Sequence, residues 1–363
     1  MKSQIPSLDG LRAISILFVI LGHIWLLDMG KPAIPYPANL LIDATLGVNV
    51  FFVISGFLIT TLLMEEEAGT GGISLKGFYT RRAFRIFPAY YFVLIVYLML
   101  QLSSVLYFST RSWMSSIFYY KYIDGGDWES GHFWSLSVEE HFYLIWPLVF
   151  KFWKKGRVYF AYAVIVLVMF FRYNAYMRLF PSALLDSTIS IFQRGDALMV
   201  GCLFALHRKR LETMTAGLAG RRLAPFVILL LLALIGKNYI SDWSQQYHLH
   251  LGLLLIPLGL SWNAGLISNL LIAILMLISI NGRGPWFRFL NLPAVKLTGK
   301  LSYSLYLWQQ LFFSPRLGVA SRFPQMLLFI VIAALISYYC IEKPFLRLRD
   351  QFMNRKLGRL IAK

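Results

Sequence analysis

Apolar runs of about twenty residues, divided by short polar stretches, recur along nearly the whole chain. A helix needs about 20 apolar residues to cross a hydrocarbon core of about 30 Å, so each run reads as a membrane span. The pattern predicts spans over 8–27, 44–64, 86–107, 132–153, 157–174, 187–207, 223–240, 252–281, 301–314 and 324–341. The runs are continuous rather than alternating with period two, which excludes a membrane β-barrel and predicts an all-α polytopic protein. The segment 112–121 is too short and too polar to cross, and is placed at the interface. The stretch 252–281 reads as one long tilted helix, or as a half-helix and a full one broken around Pro257 or Asn263. The two halves do not resemble each other, and no repeat period is visible.

Charge sets the orientation. The chain of 363 residues is 58% hydrophobic and only 14% charged, with a formal net charge of +18 and a mean hydropathy of +0.62. A soluble domain carries about 25% charged residues. The basic residues gather in short clusters between apolar runs, not in a stripe suited to nucleic acid. With a cytoplasmic N-terminus and ten spans, the clusters around Arg82, Lys154, Arg208 and Arg288 all fall inside, as the positive-inside rule requires. The basic tail then falls inside too. We expect about ten transmembrane helices with both termini cytoplasmic. Residues 1–345 form the transmembrane domain and 346–363 a basic cytoplasmic tail. The first run follows Lys2, but it is too long for a signal core and is expected to stay as the first helix. Cys202 and Cys340 supply neither a disulfide framework nor a metal spacing.

Ionisable side chains inside spans are costly and point to function. Arg12 and His23 are eleven residues apart, about 1100° of helical rotation, and so share a face about 16 Å apart along the axis. Histidine can accept a proton from a hydroxyl near neutral pH. Arg12 alone also reads as a snorkelling anchor. Arg82 and Arg85, in FYTRRAFRIFPAYYF, share a face where the third span begins. Two guanidiniums at a helix N-terminus make a phosphate clamp, or a plain positive-inside cluster. Glu139 and Glu140, in HFWSLSVEEHFYLIWP, point about 100° apart, so at most one is expected to face His23. That carboxylate would orient the imidazole; the other reading is a structural pair with Arg194. Arg194 and Asp196 are i, i+2 and point apart, so each needs a partner on another helix. Asn49, Ser55, Gly56, Ser302 and Ser304 suit close helix packing and interhelical hydrogen bonds.

These residues resemble the membrane-bound acyltransferase-3 family of integral-membrane O-acyltransferases. The resemblance runs in order from SLDGLRAISILFVILGH through GVNVFFVISGFLIT, FYTRRAFRIFPAYY, FWSLSVEEHFYLIWP, FQRGDALMVG and LTGKLSYSLYLW to IEKPF. It implies transfer of an acetyl or other short acyl group from acyl-CoA to a hydroxyl of a cell-surface glycan or lipid-linked saccharide. The family's arginine-to-histidine pattern falls on Arg12 and His23, its arginine pair on Arg82 and Arg85, and its glutamate after Trp-Ser-Leu on Glu139. His141 stands where members commonly have Gln, and Gln309 where many have His. The chain resembles the stand-alone form, without an esterase-like domain.

The combined expectation is an acyl-CoA-dependent O-acyltransferase of a bacterial inner membrane. Arg12, His23 and Glu139 would be catalytic, and Arg82 and Arg85 would bind acetyl-CoA. Glu140, Arg194, Asp196 and Ser302 are polar substrate-binding or structural groups. No metal and no nucleic acid are expected. The alternatives are an acyltransferase acting on a small molecule such as a macrolide, and a polytopic transporter. The transporter reading is weakened by the lack of repeated halves and paired broken helices.

Overall fold

The computed structural model describes residues 5–26, 43–123, 126–177, 182–217, 225, 227–229 and 265–361. Most of the expected span 223–240, and 252–281 before residue 265, lie outside the described residues. Among the described residues the chain is helical, without strands. Four helices are long and apolar enough to cross a membrane: Leu8–Leu26, Ala44–Thr70, Leu75–Leu102 and Gln325–Met353.

The helices are α1 Leu8–Leu26, α2 Ala44–Thr70, α3 Leu75–Leu102, α4 Thr110–Ile117, α5 Trp128–Gly131, α6 Phe133–Phe152, α7 Arg157–Met177, α8 Ser182–Leu206, α9 Arg208–Gly217, α10 Leu266–Asn281, α11 Pro285–Leu290, α12 Pro293–Phe312, α13 Gln325–Ile336 and α14 Lys343–Ile361. A π-helical segment, Ser337–Glu342, joins α13 to α14. The helix Lys343–Ile361 runs unbroken across the expected boundary at 345/346. The segment 112–121 contains only the short α4 and the start of a 3-10 turn, Lys121–Ile123.

One boundary differs in a way that matters. The apolar pattern starts the third span at 86, but α3 begins at Leu75, where the Ser74 side chain accepts from the Gly77 amide. Arg82 and Arg85 therefore sit two or more turns inside the helix, not at its N-terminus. An apolar window overlooks the first three turns because LKGFYTRRAFR is mostly polar. The free amides and dipole of a helix start act only over its first turn, so these arginines must act through their own charge.

The centre of the bundle is α1, α2, α8 and α12: α2 packs along α8, and α1 lies between α12 and α2. Small residues permit this closeness. A Cβ on Gly299 of α12 would stand 1.8 Å from the Asp9 carbonyl oxygen of α1. One on Gly56 of α2 would stand 2.0 Å from the Leu198 carbonyl oxygen of α8. Ser15 adds a hydrogen bond from its hydroxyl to the Gly47 carbonyl. In lipid, such close backbone contact and interhelical hydrogen bonding replace hydrophobic attraction as the force between helices.

Further polar ties hold the periphery. Asp43 caps α2 by accepting from the Thr45 and Leu46 amides at 2.7 and 3.2 Å. At the other end of α2, Arg157 grips the Glu67 carboxylate with two bonds of 2.8 and 2.9 Å. Trp146 of α6 donates to Thr60 of α2 at 2.9 Å, and Tyr303 of α12 donates to the Ile86 carbonyl of α3 at 2.9 Å. The start of α1 is tied down by Asn291, which donates to Ser7 Oγ at 2.8 Å.

Candidate active site

The helices α1, α2, α3, α6 and α12 enclose a cavity of about 860 Å³, counting its open mouth. Its charged lining is Arg12, Arg82, Arg85, Glu139 and Glu140. Ser55, Ser135, Tyr143, Ser302, Tyr303 and Tyr306 add hydroxyls, and the rest of the wall is apolar, including Phe51, Phe52 and Ile86.

Three of these charges, Arg82, Glu139 and Arg12, have defined contacts. The Arg82 guanidinium lies over the rings of Phe78 and Tyr143, at 5.8 and 5.4 Å. Tyr143 donates to Glu139 Oε1 at 3.0 Å. Its single proton being given there, its oxygen accepts from Ser55, 2.5 Å away. Arg12 lies 3.4 Å from the Asp9 carboxylate, a long contact that leaves much of the guanidinium's donor capacity for the cavity. Outside the lining, the buried Glu342, at the end of the π-helical segment, accepts from Ser304. Three guanidiniums thus meet two carboxylates in one apolar-walled space. Such a space can hold an anion's oxygens by charge-assisted bonds while an uncharged arm lies along the aromatic wall.

The structure does not bring His23 to Glu139. His23 sits at the far end of α1, outside the lining of this cavity. Its ring stacks on Phe313 at 5.9 Å and meets the edge of Trp128 at 6.1 Å. Its Nδ1 lies 2.9 Å from the Val19 carbonyl. A carbonyl only accepts, so Nδ1 carries the proton and Nε2 keeps its lone pair. The backbone, not a carboxylate, sets the tautomer. Both Glu139 and Glu140 face the cavity, and neither is placed at His23. The shared face of Arg12 and His23 spans two layers about 16 Å apart along the helix.

Arg194 and Asp196 lie elsewhere and point apart. Asp196 is fully buried and accepts two bonds from Arg172 of α7, at 2.8 and 2.9 Å, and one from Asn269 of α10 at 2.9 Å. Arg194 lies over the Trp134 ring at 5.7 Å. Asp196 belongs to a bond network joining α7, α8 and α10. His141 also turns from the cavity, its ring edge-on to Tyr122 at 5.5 Å. Among the described residues, no group of three or more His, Cys, Asp or Glu side chains is placed to hold a metal ion.

Sequence reasoning missed His132 and Tyr306. Tyr306 forms the cavity's inner end, 2.5 Å from Ser135 Oγ. Its hydroxyl donates to the His132 carbonyl at 2.8 Å, and the two rings lie 5.3 Å apart. His132 stands at the first turn of α6, where a histidine looks like an interface residue. Only the fold turns it inward.

The family model for the acyltransferase domain, acyltransferase-3, matches residues 5–342. The chain belongs to this family. It is similar to the O-acetyltransferase OatA of Staphylococcus aureus, from strain NCTC 8325 / PS 47 and from strain MRSA252. Each is 28% identical to it over 385 residues, covering 94% of this chain and 57% of theirs. The chain thus spans little more than half the length of these relatives. No solved structure matches it.

Proposed function

We propose that this protein is a membrane O-acetyltransferase that moves an acetyl group from acetyl-CoA to a hydroxyl of a cell-surface glycan or lipid-linked saccharide. The observation that supports it most is the joining of Arg12, Arg82 and Arg85 in one apolar-walled cavity, in a chain of the acyltransferase family. The relatives' name, O-acetyltransferase, supports acetyl as the group and oxygen as its receiver.

In this reading Arg82 and Arg85 bind the phosphates of acetyl-CoA, and Arg12 adds a third cation. The aromatic wall takes the pantetheine arm, so that the thioester enters the membrane interior. Glu139 and Glu140 balance the cations, and Tyr143 and Ser55 hold Glu139 in place. Ser302 lines the cavity beside them. His23 Nε2 takes the proton of the acceptor hydroxyl. The hydroxyl oxygen attacks the thioester carbonyl, the C–S bond breaks, and the thiolate of CoA leaves and is then protonated. Ester and free CoA are the products. The donor end faces the cytoplasm of a bacterial cell and the His23 end faces the surface glycan. This division explains why Arg12 and His23 occupy opposite ends of α1.

The test uses membranes carrying the full chain, incubated with acetyl-CoA labelled in its acetyl group. We expect label in alkali-labile ester on envelope glycan for the wild-type chain. We expect at least about a hundredfold less for equally expressed His23→Ala, the range lost when a general base is removed. Equal label in both chains would remove His23 from the chemistry. No label in the wild type would overturn the function.

A further inference from the structure

Beyond Tyr306, around His23, the structure holds an unusual number of buried polar atoms without partners. His132 is 3% exposed and Gln309 is fully buried. Among the described residues, His132 Nδ1, both ends of the Gln309 amide, Gln310 Oε1 and Trp128 Nε1 have no hydrogen-bond partner. Buried polar groups are almost always paired, because leaving one unpaired costs about 1–3 kcal/mol. Five such atoms in one neighbourhood are hard to account for by packing.

They converge on His23. Trp128 touches its ring edge-on. Gln309 stands next to Gln310 in the last turn of α12, and neither end of its amide completes a bond among the described residues. His132 joins them through α12, its Nε2 lying 3.2 Å from the carbonyl of Leu307, two residues before Gln309. Gln310 donates to the Trp128 carbonyl at 2.5 Å, which leaves its oxygen over.

The tautomer of His132 follows from its one bond. Its Nε2 lies 3.2 Å from the Leu307 carbonyl, so Nε2 carries the proton and Nδ1 is a bare acceptor. Each imidazole is thus held by a backbone carbonyl through one ring nitrogen, which leaves its other nitrogen as an acceptor. The matching ligand carries several hydroxyls close together, each able to give one hydrogen bond and accept others.

The structure assigns His132 and Gln309 to the acceptor: His132 Nδ1 receives a hydrogen bond from a hydroxyl next to the one that reacts at His23, and the Gln309 amide bonds the same saccharide unit. This assignment rests on the proposed acetyl transfer and deepens it, since it selects an acceptor with neighbouring hydroxyls.

Two substitutions separate this role from a structural one. His132→Asn keeps an oxygen where Nδ1 stands but cannot reach Leu307. His132→Gln keeps a donor toward Leu307 but has no acceptor at the δ position. In the labelled acetyl-CoA assay, at equal protein level, we expect His132→Asn to stay within about threefold of wild type. His132→Gln should fall at least about tenfold, with the KM for acetyl-CoA unchanged in both. That fall corresponds to losing one hydrogen bond to a buried group. Gln309→Leu removes the unpaired atoms at similar volume, so a structural role predicts an equal or more stable protein with full activity. The assignment predicts a protein of wild-type stability whose transfer rate falls about tenfold. If His132→Gln equals or exceeds His132→Asn, or if Gln309→Leu transfers like wild type, the assignment is overturned while the transferase reading stands. If the wild-type chain transfers no label, the transferase reading itself fails.

Discussion

In the proposed transfer, Arg82 and Arg85 carry the donor half of the site. A guanidinium offers several donors in a planar fork and binds phosphate oxygens two at a time, whereas an ammonium acts as a point charge. Arg82→Lys should therefore weaken acetyl-CoA even though the charge is kept. It also gives up stacking on Phe78 and Tyr143. We expect a KM for acetyl-CoA about tenfold higher and a maximal rate within about threefold of wild type, equivalent to one lost charge-assisted bond. Initial rates against acetyl-CoA concentration measure this. A changed maximal rate at constant KM would place Arg82 outside the donor site. Arg12 and Glu139 stood out in the sequence because charges within apolar runs have few reasons to be there, whereas Arg82 and Arg85 showed only as a pair sharing one helix face ahead of the apolar run. The company of these residues was not legible. That Glu139 answers to Tyr143 and Ser55 rather than to His23 depends on the rotation of α6 against α1 and α2, which no local period encodes. His132 escaped because a histidine at the edge of a run has no marker of its own until the fold closes around it.

The helix crossings decide whether that arrangement persists. At Gly56 a methyl group would meet the Leu198 carbonyl oxygen at 2.0 Å. This is backbone, so α2 and α8 would have to separate. Gly56→Ala should destabilise the protein by about 1–3 kcal/mol, the usual range for overpacking, seen as earlier loss of the monodisperse peak on heating in detergent. The buried carboxylate of Asp196 presents a different weakness. Asp196→Ala would strip Arg172 of the carboxylate that takes two of its bonds and would leave Asn269 without that acceptor. Breaking a buried ion pair from one side costs about 3–5 kcal/mol. The same heating assay should show a larger loss than for Gly56→Ala, with the KM for acetyl-CoA unaltered in the protein that survives. A run of apolar residues announces each of these helices, yet it is silent on which two meet at Gly56. It is equally silent on the first three turns of α3, where polar residues continue a helix past the end of its apolar stretch.

The placement of the two ends of the chain ties these parts to a direction across the membrane. Arg12 near the start of α1 and Arg82 and Arg85 in the first half of α3 line one cavity, so both helices begin on the same side. The last helix, α14, lies on that side too: Phe345 and Phe352 pack on Phe84, between the two arginines, at ring distances of 6.5 and 6.4 Å. The C-terminal end therefore shares a face with the cavity mouth, whatever the number of crossings between. Basic residues are concentrated here, which favours the cytoplasmic side, and acetyl-CoA is a cytoplasmic donor. A C-terminal fusion to a fluorescent protein that matures only in the cytoplasm should fluoresce, and a fusion to a phosphatase active only outside should be silent. The opposite pattern would turn the arginines outward, away from any pool of acetyl-CoA. The donor assignment would then fall together with the topology, because the same contacts between Phe84, Phe345 and Phe352 fix both.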